Sequence, residues 1–258
     1  MNCSFDFTGK TVVITGAERG IGLELAKGFA STGARIVIFG IIDEEFSNAE
    51  RAIADVGGEC FCIHTDVSSE ESVINAVEIT KQKYGTIDIL VNNAGINRQY
   101  PAEEMPLEIW NMIIGVNYTG TFLMCREVGK VMLAQGYGNI INVASMSGLI
   151  ANPLPQTQCA YNSSKAGVIM LTKVLANEWA QRGIRVNAIA PGFTKTPLTA
   201  NRLSNIDDPA VKKWLSGTPM NRVAEAEEMV GLVLYFASDL STYTTGTCVP
   251  VDGGYTCL

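Results

Sequence analysis

Short runs of apolar, mostly β-branched residues recur along the whole chain, each followed by a longer amphipathic stretch. The runs are TVVIT (11–15), RIVIF (35–39), CFCIH (60–64), IDILVN (87–92), NIINVA (139–144), RVNAIA (185–190) and CVPV (248–251). Helical patterns lie between them, for example 21–31, 71–84, a long one over 107–135, and another over 160–181. Strands that are apolar on both faces, separated by helices, require a parallel sheet covered on both sides. The prediction is therefore an α/β chain, a single doubly wound domain over residues 1–258 with seven parallel strands and helices on both faces. With 258 residues, 47% of them hydrophobic, it can bury a large core, and no break in composition marks a second domain. Segment 193–220 is the exception to this regularity. It is polar, holds Pro197, Pro209 and Pro219, and reads as a small lid over a substrate.

Several function classes drop out early. The formal charge is −7 and no dense Lys/Arg run is present, which argues against nucleic acid as a partner. No apolar stretch is long enough to span a membrane, and the opening MNCSFDFTGK lacks the basic and then apolar pattern of a signal peptide. Seven cysteines, at 3, 60, 62, 125, 159, 248 and 257, are odd in number and scattered. No zinc or disulfide framework is expected, no metal site either, and a reducing cytoplasm is the expected compartment.

The first strand runs into TGAERGIG, where Gly16, Gly20 and Gly22 precede a helix. Such a turn presents free backbone N–H groups and a positive helix end, and its glycines let a diphosphate approach. It could equally be a tight turn with no ligand. Dinucleotide folds often end their second strand in an acid that holds the adenosine ribose. Here Gly40 stands at that place, Asp43 comes three residues late, and Arg19 in the glycine loop could meet a 2′-phosphate. The cofactor is thus NAD or NADP, and the missing acid tips the expectation to NADP. Asp66 and Val67 follow the third strand and could border an adenine, or simply lead to a helix cap at Ser68 or Ser69. Strand four ends in Asn92, Asn93, Ala94 and Gly95, residues that suit a ligand crevice or a bare turn. Asn117 falls inside the long helix, where asparagine is mildly unfavourable. It could bond backbone at a kink or hold a water. Of eight tyrosines, only Tyr161 has a lysine, Lys165, four residues on. Prolines at 153 and 155 place Tyr161 in a first helical turn.

Together these motifs resemble the short-chain dehydrogenase/reductase family over essentially the whole chain. TGAERGIG matches its cofactor loop, NNAG (92–95) its strand-four motif, and Pro191-Gly192 with Thr196 its P-G-x-x-x-T segment. Val251-Asp252-Gly253-Gly254 resembles its C-terminal signature. The resemblance implies a Rossmann fold, a catalytic set of Asn117, Ser145, Tyr161 and Lys165, and a homotetramer joined through long helices and the chain end. It further implies cofactor contacts from Gly16, Arg19, Gly20, Ile21, Gly22, Asp66, Val67, Asn93, Ala94, Gly95, Tyr161, Lys165, Pro191, Gly192, Thr194 and Thr196. Small residues at Ala166 and Gly167 would let helices approach closely.

The implied chemistry moves a hydride between a carbinol carbon and nicotinamide while a proton reaches or leaves the oxygen. The one histidine, His64, falls on the adenine side. A tyrosine must then titrate well below its usual pKa of about 10. A cation about 4 Å away supplies about 4 kcal/mol at an effective dielectric near 20, so Lys165, oxidised nicotinamide and the helix terminus are expected to lower it together. Within the family, S-M-S-G, N-x-x-P-Q and Q-x-A-Y-N between 145 and 162 resemble polyol dehydrogenases and ketose reductases. Asn97, Arg98, Ser147, Asn152 and Gln158 are the candidate contacts to a sugar chain, and Trp214 either belongs to the lid or packs. The alternatives are reduction of 3-oxoacyl groups on a carrier protein, oxidation of a sugar acid such as gluconate, and, as a different class, a cofactor-binding sensor without turnover.

Overall fold

A computed structural model of the chain describes residues 5–203, 205 and 207–257; Cys3 and Leu258 lie outside them. Seven strands form one sheet: β1 (Thr11–Thr15), β2 (Arg35–Gly40), β3 (Glu59–His64), β4 (Ile89–Asn92), β5 (Gly138–Val143), β6 (Ile184–Pro191) and β7 (Cys248–Val251). Their order is β3-β2-β1-β4-β5-β6-β7, and each neighbouring pair is parallel. The winding reverses between β1 and β4, so the carboxyl ends of the strands diverge there and leave a crevice.

Each strand alternates its apolar side chains between two cores. Val12, Ile14, Ile36, Ile38, Ile89 and Val91 face one core, beneath helices α1 (Gly20–Ala30), α2 (Phe46–Ala54) and α9 (Val230–Ala237). Val13, Val37, Phe39, Leu90, Ile140 and Val186 face the other, beneath α3 (Glu70–Tyr84), α5 (Gly120–Gln135) and α6 (Cys159–Trp179). Fully burying each such side chain stabilises the fold by about 1.5–3 kcal/mol. This is the expected doubly wound sheet, with one shortened strand. The ladder of β4 begins at Ile89 rather than 87; Asp88 still pairs its backbone with Thr11 and Asn139, and side chains tie down this start of the strand. The Ile87 N–H donates to Gln135 Oε1 at 3.1 Å, and the Asp88 carboxylate accepts the Thr11 N–H at 2.8 Å.

The helix expected over 107–135 is two helices, α4 (Leu107–Ile114) and α5, joined by a π-turn at Gly115–Thr119. Asn117 sits in that turn, fully buried. Segment 193–220 is more ordered than a polar insertion. It forms β-bridge residue Thr194 and two helices, α7 (Pro197–Leu203) and α8 (Pro209–Gly217). Each helix begins on a proline, the position where a missing N–H costs nothing. The Asp208 carboxylate caps α8 by accepting the Ala210 N–H at 2.7 Å. Trp214 is buried and stacks on Phe193 at 4.4 Å, and Phe193 meets the edge of Tyr255 at 5.2 Å. Among the described residues, no helix is long and apolar enough to cross a membrane.

Candidate active site

The carboxyl ends of the strands border a cleft of about 750 Å³. At one end lies the glycine loop between β1 and α1. Gly16 has φ +62, and a Cβ there would stand 2.9 Å from Ala94 Cα, so the β1 and β4 loops pack backbone to backbone. Arg19, Gly20 and Ile21 line the cleft, and Arg19 is exposed. Gly22 does not line it. A Cβ at Gly22 would lie 2.5 Å from both Asn93 Nδ2 and Gly16 O, so this glycine admits the Asn93 side chain beneath the loop. The Asn93 amide in turn donates to Thr15 O at 3.0 Å and Gly16 O at 2.8 Å, which fixes the loop from behind. Ala94 and Gly95 continue the wall.

Asp66 and Val67 border the same end of the cleft. Asp66 Oδ1 accepts from the Ser68 N–H and hydroxyl at 2.9 and 2.7 Å, while Ser69 caps α3 by accepting the Ser72 N–H. The helix cap is thus realised at Ser69, and Asp66 and Val67 line the cleft beside it. His64 is exposed on this side and bonds Asp43 Oδ1 at 2.8 Å. On the far wall stand Pro191, Gly192, Thr194 and Thr196. A Cβ at Gly192 would meet Asp252 Cα at 2.7 Å, so the P-G segment and the V-D-G-G signature are packed on one another. Asp252 holds the tail by accepting the Gly254 and Thr256 N–H groups at 3.0 and 2.9 Å.

Ser145, Tyr161 and Lys165 meet at the centre of the cleft. Ser145 follows β5 in extended conformation, and its Oγ accepts the Ser147 N–H at 3.1 Å. Tyr161 is the third residue of α6, and Lys165 follows one turn later. Lys165 is 4% exposed; its Nζ donates to Val143 O at 2.8 Å and lies 5.8 Å from the Tyr161 ring centre. Burial lowers its pKa from 10.5 to about 8. Tyr161 departs from expectation. Burial raises its pKa above 10, and the hydrogen bond from Ser145 lowers it only in part. The protein alone holds Tyr161 as the neutral phenol, since desolvation outweighs the Ser145 hydrogen bond.

Asn117 is not in the cleft wall but behind it. Its Oδ1 accepts the Ile96 N–H at 2.8 Å, and its Nδ2 donates to Ile96 O at 2.9 Å and Ser164 Oγ at 3.1 Å. The kink alternative is the one realised: the amide binds the strand-four loop to the π-turn and to α6.

Beyond Tyr161 the cleft is lined by amides. Asn97 Nδ2 donates to Gln158 Oε1 at 2.8 Å, and Gln158 Nε2 donates to Asn152 Oδ1 at 2.9 Å and Ser147 Oγ at 3.3 Å. Asn152 Nδ2 reaches Gln156 Oε1 at 3.3 Å. Asn97 Oδ1 is buried without a hydrogen-bond partner. Arg98 also lines the cleft, exposed, donating to Asn97 O at 2.8 Å. Trp214 closes this end from α8. Gln156 and Glu18 are among the cleft residues that escaped the sequence reading. Gln156 was one amide among several in a loop. Glu18, buried beside Gly40, could have been found from an acid inside a glycine loop that faces a strand ending in glycine.

The small-residue reading of Ala166 and Gly167 divides. Ala166 is exposed, but a Cβ at Gly167 would meet the Tyr118 ring of the same chain at 3.0 Å. Gly167 therefore serves packing within the chain.

Comparison with known proteins places this arrangement. A family model described as Enoyl-(Acyl carrier protein) reductase matches residues 16–256. A galactitol 2-dehydrogenase (L-tagatose-forming) from Cereibacter sphaeroides is 40% identical over 98% of this chain and 97% of its own. A D-threitol dehydrogenase from Mycolicibacterium smegmatis is 39% identical over 99% and 97%, and a 3-oxoacyl-[acyl-carrier-protein] reductase from Synechocystis sp. is 37% identical over 96% and 97%. Among solved structures, a short-chain type dehydrogenase/reductase from Mycobacterium marinum superposes with TM-score 0.93 at 38% identity, covering 98% of both chains. An NAD+-bound xylitol dehydrogenase gives 0.90 at 33%, covering 96% of this chain and 99% of its own. A gluconate 5-dehydrogenase from Burkholderia cenocepacia, in complex with NADP and tartrate, gives 0.91 at 36%, covering 98% of both.

Proposed function

The chain belongs to the short-chain dehydrogenase/reductase family, and we propose that it interconverts the secondary alcohol of a polyol and the ketone of a ketose with NAD or NADP. The observation that carries the substrate class is the amide chain Asn97–Gln158–Asn152–Gln156, with Ser147 beside it and Asn97 Oδ1 lacking a donor. A polyhydroxylated chain brings hydroxyls that need partners once buried, and each of these amides offers both a donor and an acceptor. An acyl thioester would be better served by apolar walls. The NADP- and tartrate-bound relative and the exposed Arg98 at the cleft favour a sugar acid as the second reading.

The residues present fit a dinucleotide: Gly16, Arg19, Gly20 and Ile21 bring the glycine loop and the N-terminus of α1 to the cleft wall, and Lys165 and Thr196 line the same cleft. Arg19, Gly20, Ile21, Asp66, Val67, Asn93, Ala94, Gly95, Pro191, Gly192 and Thr194 would border it, with Gly22 acting from behind through Asn93. When bound, the cofactor supplies or accepts the hydride. Tyr161 exchanges the proton with the substrate oxygen. In reduction it gives that proton from its neutral phenol, the form that burial favours. Ser145 orients the same oxygen through its hydroxyl, whose Oγ is already fixed by the Ser147 N–H. Lys165 stands as the cation beside Tyr161 and holds the cofactor's ribose. Asn117 acts as a positioning residue, holding the Ile96 backbone against α6. Segment 193–220 serves as the lid, with Trp214 as its apolar contact. The reading carries with it a cytoplasmic compartment and a homotetramer, for which Leu107 on α4, Tyr118 in the π-turn, Phe122 on α5 and Met170 and Val174 on α6 offer exposed apolar surface.

The test is a panel of sugar alcohols, ketoses and sugar acids, each with both cofactors, together with an acetoacetyl thioester. A five- or six-carbon ketose should be reduced with kcat/KM at least about tenfold above the thioester, and Asn152→Ala should cost the ketose about 1–3 kcal/mol of transition-state stabilisation. A thioester preference, or no effect of Asn152→Ala on the ketose, would leave only the family assignment standing.

A further inference from the structure

Glu18 lies inside the glycine loop, between Ala17 and Arg19, and is 4% exposed. It lines the cleft at the end of β2. Its carboxylate is poorly satisfied. Oε1 accepts one long bond of 3.5 Å from the Ile41 N–H, and Oε2 is buried with no partner. Buried polar atoms are nearly always paired, and a carboxylate oxygen is among the costliest to leave bare. A buried orphan acceptor on a residue that lines a ligand cleft fits a donor carried by the ligand.

Gly40, the last residue of β2, gives the location its meaning. A Cβ built there would lie 2.8 Å from Glu18 Oε2, 3.1 Å from Glu18 Cδ and 2.7 Å from Phe46 Cε1. The Glu18 carboxylate thus fills the space that a side chain on the end of β2 would use. In dinucleotide folds an acid at that strand end bonds the ribose hydroxyls. Here the strand has no side chain to offer, and the acid arrives from the glycine loop.

Resting on the oxidoreductase reading above, we propose that Glu18 recognises the adenosine ribose by accepting hydrogen bonds from its 2′- and 3′-hydroxyls, and that the protein selects NAD(H) over NADP(H). This reverses the expectation drawn from Gly40 and Arg19. A 2′-phosphate removes one of the two donors and sets a charge of about −2 against a buried carboxylate. Arg19 is the only cation of the loop, and it would have to outweigh Glu18 alone. The residues after Gly40 are Ile41, Ile42, Asp43, Glu44 and Glu45, with no cation among them. The nearby His64 is already engaged with Asp43.

The experiment measures binding rather than turnover. The protein, without substrate, is titrated with NADH and with NADPH while nicotinamide fluorescence is followed. NADH should bind at least about tenfold more tightly, the worth of a charge-assisted hydrogen bond exchanged for repulsion. Glu18→Gln, which keeps the volume, and Glu18→Ser, which opens it, should weaken NADH about tenfold and bring NADPH level or ahead. The thermal unfolding midpoint of each unliganded variant shows whether it is folded; where one is not, the wild-type ratio decides. The exchange Glu18→Ala with Gly40→Asp should restore the NADH preference, whereas Gly40→Asp alone sets one carboxylate against another and should not. Equal or tighter NADPH binding by the wild type would overturn the proposal. So would a ratio unchanged in both Glu18 variants, which would make Glu18 a packing residue; in either case the oxidoreductase reading stands. Binding of neither nucleotide would remove both.

Discussion

Replacing Lys165 by methionine should make the unliganded protein more stable and inactive. Lys165 is 4% exposed, and its one hydrogen bond is to Val143 O at 2.8 Å. Its pKa is lowered from 10.5 to about 8 by burial alone, with no carboxylate offsetting it. At pH 7 the folded protein still carries the charge, at a cost of about 3 kcal/mol for that lowering at 1.36 kcal/mol per pH unit. Methionine keeps the unbranched stem and its volume while removing the charge. It also gives up the bond to Val143, worth about 1 kcal/mol. The net gain is about 2 kcal/mol, or roughly 4–8 °C in Tm for a domain of this size. The sign has a pH signature. Between pH 8 and 10.5 the unfolded chain holds the proton and the folded chain has released it, so the wild type gains stability as pH rises through that window. The advantage of Lys165→Met should be full below pH 8, gone near about pH 9.5, and reversed above that, where the lost bond to Val143 remains uncompensated. Urea unfolding of both proteins at one protomer concentration, at pH 7 and again at 9.5, measures it. A variant less stable than wild type at pH 7, or an advantage that does not shrink at pH 9.5, would refute the reasoning.

Tyr161→Phe should lower turnover by about 10²–10⁴ while leaving nicotinamide cofactor binding intact, and a variant within tenfold of wild type would end the proposed mechanism. Because burial raises the Tyr161 pKa, the phenolate needed for alcohol oxidation forms only as pH rises. Oxidation kcat/KM should therefore climb from pH 7 to 9 while reduction stays flat or falls; an oxidation rate independent of pH across that range would contradict this. Gly22→Ala would drive a methyl to 2.5 Å from Gly16 O and Asn93 Nδ2, and chemical unfolding should show a loss of about 1–3 kcal/mol. Sedimentation should report a tetramer, and a fully active monomer on dilution would dismiss the assembly.

The sheet was legible because its strands are buried on both faces, so Val12, Val13 and Ile14, or Ile36, Val37 and Ile38, need no partner to reveal them. The central site was legible for a different reason: Tyr161 and Lys165 sit at helical spacing just past prolines that fix where α6 can start. What escaped depends on contacts distant in the chain. Nothing near Gly22 says that Asn93 will lie against it, and nothing near Gly167 announces Tyr118. In the unliganded protein the Tyr161 pKa lies above its usual value through burial, which cannot be read from sequence as charge can. Helices α7 and α8 hid behind polar composition and prolines that, at a helix start, are no obstacle. The α9 stretch VGLVLYFA is apolar on almost every side and so shows no stripe to read.

The π-turn at Gly115–Thr119 changes the phase of the long helix. One residue more per turn rotates everything after it by roughly 100° relative to an unbroken α-helix. The stripe that α5 presents to the sheet, through Leu123, Val128 and Met132, is thereby uncoupled from the face that α4 presents through Ile113. Asn117 sits at the phase break, where its amide can turn inward to Ile96 without taking a place in either stripe. A single-residue deletion in this turn would leave every side chain chemically intact. It would nonetheless put the two halves back in step, turning either the core stripe or the asparagine away from its partner. Apart from Asn117, this stretch should thus accept substitutions far more readily than any change in its length.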